Sequence, residues 1–410
     1  MSNLNSYSIK KLGIITSGGD CGGLNAAIYG AAKMALAKNI ELVVIPNGYA
    51  GLYNLDVITP VLLNSHRIDE IRTVIAGSVA GHSRVKISKI NNPKKYEKIK
   101  SNLQKHNIDG LIIAGGDDTG SVVLDLVEQQ IKCIHIPKTM DLDLQTYSVG
   151  GDSTIWRIAK FMNDLRTTTQ THNRVLILEV FGRYAGHTAF RGGIGADADC
   201  ILIPEIGVDF EIVYNHFKQK FTERLQNSDY KATNYSIVVA EGMTGKDGNY
   251  FTDEASGTDS FGHQKLGGVG AYVKQILQDF SKKDSEYWKD IYSKNGVYVE
   301  GINILPEIRD ILPGHLVRCG ESTPYDISFG KQCGGSAVQL LLNGISGVTV
   351  AGMTEGEIRY IPIKKAIEQR FVDLKDVEFY ESLGICFGRT VDKSYTPKFK
   401  EITDKIERYM

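Results

Sequence analysis

The 410-residue sequence predicts an α/β protein with mostly parallel sheets that are covered by helices. Apolar runs typical of buried strands alternate along the chain with helical patterns, as in parallel sheets joined by crossover helices. The chain also exceeds the roughly 250 to 300 residues at which a single hydrophobic core stops growing. Two domains of this class are therefore expected.

The first series of elements begins near the N-terminus. Short apolar runs bounded by polar or glycine-rich turns predict strands. They lie over 11–16, 41–46, 111–114 and 131–136. Apolar residues recurring with the helical period predict the helices between and after them. These lie over 24–37, 119–129 and 153–168. Glycine-rich stretches should turn the chain at 48–51 and end the first domain near 149–152.

A second α/β series follows. Its strands are predicted over 174–180, 200–204, 235–240 and 348–351. The stretch 245–262 is rich in Gly, Ser, Asp and Thr and predicts a mobile surface loop. The mixed polar stretch 284–295 is interpreted as an insertion outside the core. We expect a first domain of 1–151 with about 314–347, and a second of 152–313 with about 348–410.

The charge balance and the cysteines exclude several classes of protein. Lysine plus arginine (47) nearly equals aspartate plus glutamate (48), so no global field attracts nucleic acid or an acidic membrane. The sequence has no leader-like N-terminus and no run of about 18 apolar residues. Its six cysteines and nine histidines show no metal-ligand spacing. A cytoplasmic protein with reduced cysteines, and without nucleic-acid or membrane partners, is expected.

A glycine-rich turn joins the first strand to the first helix. Gly18 and Gly19 would let backbone amides approach a phosphate, and the N-terminus of the following helix adds a favourable dipole. The spacing matches neither the dinucleotide fingerprint nor the P-loop. A tight structural turn without a ligand therefore stays an equal alternative for this motif alone.

Two further turns carry charged residues at the ends of neighbouring strands. Asp117 and Asp118 follow the strand over 111–114, and Lys138 and Asp141 follow the next strand. Carboxylates for a hard cation, an ammonium for phosphoryl oxygens and a carboxylate for a hydroxyl proton together suit magnesium-assisted phosphoryl transfer. The alternatives are a helix N-cap at Asp118 and turn-forming aspartates at 141 and 143.

Arginines recur where an anion site would need them, since a planar guanidinium can bind a phosphate through two hydrogen bonds. They are Arg84, Arg174, Arg183, Arg309 and Arg318. His315 beside Pro313-Gly314 and Glu241 at a strand end are further candidates. Taken alone, each arginine is more often a solvated surface charge and His315 a satisfied loop residue, and Glu241 is equally well explained as a helix or turn cap.

Taken in order, these motifs resemble the signature set of the 6-phosphofructokinase family over about residues 11–362. The motifs are Ser17-Gly18-Gly19-Asp20, Gly115-Gly116-Asp117, Lys138-Thr139-Met140-Asp141, Phe181-Gly182-Arg183 and Gly314-His315-Leu316-Val317-Arg318. The resemblance implies two Rossmann-like three-layer αβα domains, the first binding the phosphoryl donor and the second the sugar phosphate. It also implies transfer to the 1-hydroxyl of fructose 6-phosphate, a step of glycolysis and gluconeogenesis.

The resemblance implies a role for each matching residue. Asp117 would hold Mg²⁺, Asp141 would accept the hydroxyl proton, and Lys138, Asp118 and Arg183 would complete the catalytic set. Donor binding would fall to Gly18, Gly19, Arg84, Asp118 and Lys138. Sugar-phosphate binding would fall to Thr139, Asp141, Arg174, Phe181, Gly182, Arg183, Glu241, Arg309, His315 and Arg318. Arg174 and Arg309 would reach across a subunit contact, which implies a homodimer or homotetramer.

Two positions favour inorganic pyrophosphate over ATP as the donor. Members that use ATP usually carry glycine at the position of Asp118 and often at that of Lys138, whereas members that use pyrophosphate carry aspartate and lysine. A carboxylate at 118 would occupy the place of a nucleotide α-phosphate, and Lys138 could neutralise a leaving phosphate. Transfer from such a donor would be nearly reversible.

Three positions depart from the family pattern. Leu142 replaces the usual asparagine between the two acids, Gly22 replaces a common proline, and Cys319-Gly320-Glu321 replaces Gly-Gly-Ser. Leu142 removes a polar side chain beside the proposed base, which bears on the position of Asp141 and on the sugar phosphate accepted.

Three other hypotheses remain open at this stage. An ATP-dependent enzyme that tolerates Asp118 is separated by comparing rates with the two donors. A regulatory subunit without turnover is favoured by Leu142 and opposed by the intact acids, lysine and arginines. A dinucleotide-dependent oxidoreductase is opposed by the glycine spacing and the missing acid for the ribose.

Overall fold

The computed structural model describes residues 9–250, 266 and 268–403. Its strands are β1 (Lys11–Thr16), β2 (Glu41–Val44), β3 (Val61–Leu62), β4 (Gly110–Gly115), β5 (Cys133–Pro137), β6 (Arg174–Val180), β7 (Cys200–Leu202), β8 (Gly207–Val208), β9 (Tyr235–Ala240), β10 (Thr244–Gly245), β11 (Glu307–Ile311), β12 (Val348–Thr354) and β13 (Glu357–Pro362).

Helices connect and cover these strands. They are α1 (Leu24–Ala37), α2 (Gly48–Tyr53), α3 (Ser65–Asp69), α4 (Lys95–Lys105), α5 (Asp117–Glu128), α6 (Gly151–Thr171), α7 (His187–Gly195), α8 (Phe210–Asn227), α9 (Val269–Lys283), α10 (Ser285–Lys294), α11 (Pro324–Leu342), α12 (Ile363–Ala366) and α13 (Leu374–Ser382). Within the described ranges, every helix is too short or too polar to span a lipid bilayer.

The chain forms two compact units. Of the described residues, the first unit comprises 9–153, 318–370 and 402–403, and the second comprises 154–250, 266, 268–317 and 371–401. Each is built around a mostly parallel sheet, which confirms the predicted α/β class.

The first unit contains a seven-stranded sheet in the order β13-β12-β5-β4-β1-β2-β3. The five central strands run parallel, and only the two edge strands are antiparallel. Central strand β4 is apolar at every position because helices cover both faces, and Leu111, Ile112 and Ile113 are fully buried. The chain passes from β1 to β2 on one side and later to β4 on the other, which creates a topological switch point at β1.

The second unit contains a four-stranded parallel sheet in the order β11-β6-β9-β7. Its main core packs aromatic residues of α8 and α10 against β6 and β9, with Phe217 stacked on Trp288 at 5.5 Å between ring centroids. A separate two-stranded pair joins β8 and β10.

Residues 284–295 correct one expectation, because they belong to the core. They form α10, and Trp288, Ile291 and Tyr292 are buried in the main core of the second unit. These three residues have the i, i+3, i+4 spacing that places side chains on one helical face. The polar residues between them lie on the outer face of the helix. The average composition of the segment is therefore polar, and it does not reveal the apolar face.

Two other expectations also change. Residues 348–370, assigned to the second domain, extend the sheet of the first unit because β12 pairs in parallel with β5. Residues 48–51, expected as a simple turn, begin helix α2. Of the loop predicted over 245–262, residues 251–262 lie outside the described residues.

Candidate active site

The predicted donor residues lie at one edge of the first unit's sheet. Strands β1, β4 and β5 are adjacent and parallel, so the turns that follow them meet at their carboxyl ends. Backbone hydrogen bonds link the turns directly: the Ser17 amide donates to Ala114 O at 2.9 Å, and the Lys138 amide donates to Gly115 O at 2.9 Å. This edge includes the switch point, where open α/β sheets bind their ligands.

The glycine-rich turn after β1 forms one wall of an open cavity of about 370 Å³. Its lining residues are Gly18, Gly19, Asp20, Ser78, Gly81, His82, Ser83 and Arg84. Gly18 has φ +82°, a left-handed conformation that favours glycine. A Cβ at Gly19 would lie 1.9 Å from an Arg318 guanidinium nitrogen, so a larger residue here would displace that side chain.

Lys138 reaches this turn from the neighbouring strand end. Its side chain is 3% exposed, and its Nζ donates a hydrogen bond to the Gly19 carbonyl. Burial lowers the pKa of Lys138 below its ordinary value. The structure therefore places a buried cation against the loop that was predicted to hold the donor phosphates.

His82 supports the same turn. Its Nδ1 lies 2.9 Å from the Gly18 carbonyl, and because a carbonyl only accepts, Nδ1 carries the proton. Burial, and next the charge of Lys138, lower the pKa of His82 to about 4. The ring is thus neutral near pH 7 and holds the Gly18 backbone in place.

Asp117 and Asp118 occupy the first turn of α5. The N-cap position is Gly116, without a side-chain cap, so the alternative of Asp118 as the N-cap is wrong. Asp117 is exposed, whereas Asp118 is partly buried and forms an ion pair with Lys86 at 3.0 Å. The helix N-terminus favours negative charge at both positions.

The loop after β5 holds the second pair of acids. Thr139 Oγ1 accepts a hydrogen bond from the Asp141 amide at 3.1 Å. Leu142 adopts φ +57°, a conformation that asparagine tolerates better than leucine, and its buried side chain packs against Gly151. Leucine therefore contributes apolar packing here, and the turn that separates the two acids is kept.

Asp143 is hydrogen-bonded by an amide side chain. Its carboxylate accepts a hydrogen bond from Gln369 Nε2 at 3.3 Å. Burial, followed by the charges of Asp141 and Asp117, raises the pKa of Asp143 to about 7. The negative charges of Asp141 and Asp117 thus act on Asp143, and a divalent cation at this edge would relieve that repulsion.

The residues at this edge fit a magnesium ion that is shared with a substrate. In the described part of the chain, no group of three or more His, Cys, Asp or Glu side chains is arranged to hold a metal by itself. Mg²⁺ is commonly bound through one or two carboxylates together with substrate phosphates and water. Asp117 is exposed, and its charge acts on Asp143, so it is the side chain that suits this mode.

A buried histidine that the motif analysis did not identify fixes the ends of three strands. His135 in β5 is fully buried, and its Nε2 donates to Gly115 O at 2.9 Å, the carbonyl that also accepts from the Lys138 amide. Its Nδ1 accepts from Thr349 Oγ1 of β12 at 2.9 Å. Burial lowers the pKa of His135 to about 4.

Replacing His135 by glutamine should make stability less sensitive to acid. The folded-state pKa of about 4 lies below the ordinary value of 6.5, so the unfolded chain binds the extra proton as the pH falls between them. From pH 7 to pH 5, the wild-type free energy of unfolding should fall by about 2 kcal/mol relative to that of His135→Gln. Urea unfolding at the two pH values measures this difference.

The comparison with the variant is necessary because Asp143 acts in the opposite sense. Its folded-state pKa of about 7 lies above the ordinary carboxyl value, so its contribution to stability is lost as the pH rises. Both proteins share that contribution, and it cancels in the difference. His172→Asn, at an exposed position, is the control and should follow wild type. A difference that stays constant between pH 7 and pH 5 would contradict the prediction.

In the second unit, Arg174 and Arg309 meet at a glutamate that the sequence did not reveal. Strands β6 and β11 are parallel, with Arg174 opposite Glu307 in register. The Glu307 carboxylate forms ion pairs with both arginines. Arg174 Nε contacts Glu307 Oε2, and Arg309 Nε lies 2.7 Å from Glu307 Oε1. Burial raises the pKa of Glu307, but the hydrogen bonds from the two arginines outweigh it and hold the pKa below its ordinary value.

Two of the remaining candidates of the second unit, Phe181 and Glu241, line a small cavity at the ends of β6 and β9. Its lining residues are Glu179, Val180, Phe181, Glu241, Leu312, Pro313, Gly314 and Val317. Phe181 packs edge-to-face on His315 at 5.8 Å between ring centroids. Gly182 has φ +143°, and the carbonyl of Arg183 packs so closely on Gly242 that a Cβ there would lie 1.9 Å away.

The structure thus groups the predicted residues into separate sets. The first unit brings together Gly18, Gly19, Lys138 and Arg318, and a second group of acids joins Asp117, Asp141 and Asp143. Arg318 was expected with the sugar phosphate, but its guanidinium lies against the donor turn. Glu307, His135, His82 and Lys86 were missed, because their importance depends on contacts distant in sequence.

A family model described as Phosphofructokinase matches residues 11–341. A pyrophosphate--fructose 6-phosphate 1-phosphotransferase of Dictyoglomus thermophilum is 31% identical to this chain, over 92% of this chain and 99% of that protein. An ATP-dependent 6-phosphofructokinase 2 of Clostridium perfringens is also 31% identical, over 93% and 99%.

A solved structure supports the same fold. The pyrophosphate-dependent phosphofructokinase of Marinobacter aquaeolei matches with a TM-score of 0.67 at 18% identity, covering 97% of this chain and all of that one. This similarity concerns the arrangement of helices and strands. The relatives match over nearly their whole length, so the likeness is not limited to one domain.

Proposed function

The chain belongs to the phosphofructokinase family, and from that premise we propose that it transfers a phosphoryl group from inorganic pyrophosphate to the 1-hydroxyl of fructose 6-phosphate. The products would be fructose 1,6-bisphosphate and orthophosphate. The observation that carries the choice of donor is the buried Lys138 ammonium on the Gly18-Gly19 turn, with Asp118 in the first turn of α5.

These two residues suit a small, densely charged donor. Lys138 lies where it can neutralise the charge that develops on a leaving phosphate, and its low exposure strengthens that interaction. Asp118 takes up space and adds a carboxylate where a longer nucleotide would have to extend. Gly18, Gly19 and Arg84 line the same cavity and would bind the donor oxygens.

Asp141 is the proposed proton acceptor. The 1-oxygen of the sugar would attack the terminal phosphorus, the bridging P–O bond would break, and orthophosphate would leave. The hydroxyl proton would pass to the Asp141 carboxylate. Asp117 would hold Mg²⁺, which supplies charge neutralisation to the donor oxygens.

The second unit would supply most ligands of the sugar phosphate. Arg183 would stabilise the transferring group, and Phe181, Gly182, Glu241 and His315 would contact the sugar phosphate. Arg174 and Arg309, held side by side by Glu307, form a cationic pair that suits a phosphate monoester. A homodimer or homotetramer in which this pair serves a neighbouring copy is part of the proposal.

An ATP-dependent enzyme of the same family is the second candidate. The observation that favours it is the Clostridium perfringens relative, which is as similar to this chain as the pyrophosphate-dependent one. Overall similarity at this level does not separate donors, so the choice of pyrophosphate rests on Lys138 and Asp118.

A matrix of donors and acceptors tests the proposal. One preparation is assayed with pyrophosphate, ATP and ADP against fructose 6-phosphate and sedoheptulose 7-phosphate, in both directions and with Mg²⁺ present or chelated. We expect turnover with pyrophosphate to exceed that with ATP by at least about 100-fold, the discrimination that a misplaced phosphate chain can cause. Faster turnover with ATP would assign the second candidate instead.

A further inference from the structure

We propose that Lys86 is a positioning residue that determines donor specificity by holding the Asp118 carboxylate. This inference rests on the proposed function, since it concerns the same donor site. Lys86 belongs to none of the motifs described above, and it is 32 residues from Asp118 in sequence. The two side chains nevertheless form an ion pair, with 3.0 Å between Lys86 Nζ and Asp118 Oδ1.

The backbone directs Lys86 toward the donor cavity. Lys86 is extended, with φ −99° and ψ 116°, and in an extended segment neighbouring side chains point to opposite faces. Ile87 is fully buried in the core of the first unit, and Val85 packs against that core. Lys86 therefore shares the other face with Arg84, which lines the donor cavity.

The ion pair changes how Asp118 would exclude a nucleotide. Both side chains are about one third exposed or less (27% and 33%), so the lysine offsets much of the negative charge of the carboxylate. Repulsion of a phosphate by Asp118 is weakened accordingly. Exclusion then depends mainly on the space that the carboxylate occupies, and Lys86 fixes that position.

A second consequence concerns the lysine itself. If Asp118 is replaced by glycine, the space opens and the Lys86 ammonium loses its carboxylate partner. The freed cation then faces the place into which a nucleotide phosphate would extend. Any gain in ATP use by Asp118→Gly should therefore depend on Lys86.

A double-mutant cycle tests this dependence. Wild type, Lys86→Met, Asp118→Gly and the double variant are assayed with pyrophosphate and with ATP. For Lys86→Met we expect the KM for pyrophosphate to rise about fivefold with kcat nearly unchanged, the effect of one partly screened charge. Asp118→Gly should gain kcat/KM with ATP, and the double variant should lose about fivefold or more of that gain.

The chain offers a matched control. Lys98 and Asp56 form an ion pair of similar length (3.1 Å) and exposure (29% and 39%) in the same unit. Lys98→Met should leave both donors unaffected, whereas Lys86→Arg, which keeps the cation, should restore the wild-type KM. Loss of activity through misfolding would appear as a lowered unfolding midpoint, which none of the variants Lys86→Met, Lys86→Arg and Lys98→Met should show.

The outcomes separate this inference from the proposed function. Two results would overturn the role of Lys86 while pyrophosphate use by wild type stands. One is equal kcat/KM with ATP in Asp118→Gly and in the double variant, and the other is no gain in kcat/KM with ATP in either of them. A wild-type preference for ATP would overturn the proposed function itself. A raised KM for pyrophosphate in Lys86→Met, together with an ATP gain in Asp118→Gly that depends on Lys86, would support both the role of Lys86 and the proposed function.

Discussion

Replacing Asp141 by asparagine should lower kcat by a factor of about 100 or more with the fold retained, the usual contribution of a general base. The amide of asparagine cannot accept the sugar hydroxyl proton. The local structure should survive, because the substitution leaves unchanged the Asp141 backbone amide that donates to Thr139 Oγ1. Steady-state kinetics with pyrophosphate measure kcat, and circular dichroism of the same preparation shows whether the fold is retained.

The control for Asp141 is its neighbour. Asp143→Asn removes a carboxylate of the same loop whose oxygen accepts from Gln369, and an asparagine can keep that contact. We expect a much smaller loss of kcat from Asp143→Asn than from Asp141→Asn. Near-native turnover in Asp141→Asn, or equal losses in the two variants, would remove Asp141 from the role of base.

Replacing Lys138 by methionine should lower kcat with pyrophosphate by about 100-fold or more, comparable to the removal of one preorganised donor from an oxyanion site. The side chain is buried and its Nζ bonds the Gly19 carbonyl, so water cannot readily replace the lost charge. Methionine fills a similar volume. Because the burial of an ammonium opposes folding, the unfolding midpoint should stay unchanged or rise.

Two further variants sharpen the result for Lys138. Lys138→Arg keeps the charge but carries a planar, bulkier group, which the space beside Gly18 and Gly19 should not accept in the same position. It should therefore fail to restore turnover. Lys138→Ala should recover part of its activity when methylammonium is added. Full turnover in Lys138→Met would show that the leaving phosphate is neutralised by another group.

Much of the framework could be predicted because it follows from local patterns. The helical period over 24–37 matches α1 residue for residue, and the apolar run over 174–180 matches β6. The glycine and aspartate motifs also lie where expected, at the carboxyl ends of parallel strands. In such sheets, the end of a strand fixes the place of the turn that follows it.

Other features depended on contacts that sequence spacing does not encode. The apolar face of α10 is defined by the burial of Trp288 in the second unit's core, which depends on helix packing. Glu307 acquires its role from its register opposite Arg174, and Lys86 from its distance to Asp118. Arg318 belongs to the sequence motif that was assigned to the sugar phosphate, but its guanidinium group lies against Gly19.

The sequence alone specified the α/β class, eight of the strands in their order along the chain, and the family to which the protein belongs. It did so because hydrophobic period and turn composition are short-range properties, and because an ordered set of motifs is far more specific than any one of them. The tertiary structure alone decided which charges become neighbours. Pairing of distant strands, burial and ion pairs such as Lys86 with Asp118 arise only after folding brings separate segments within a few ångströms.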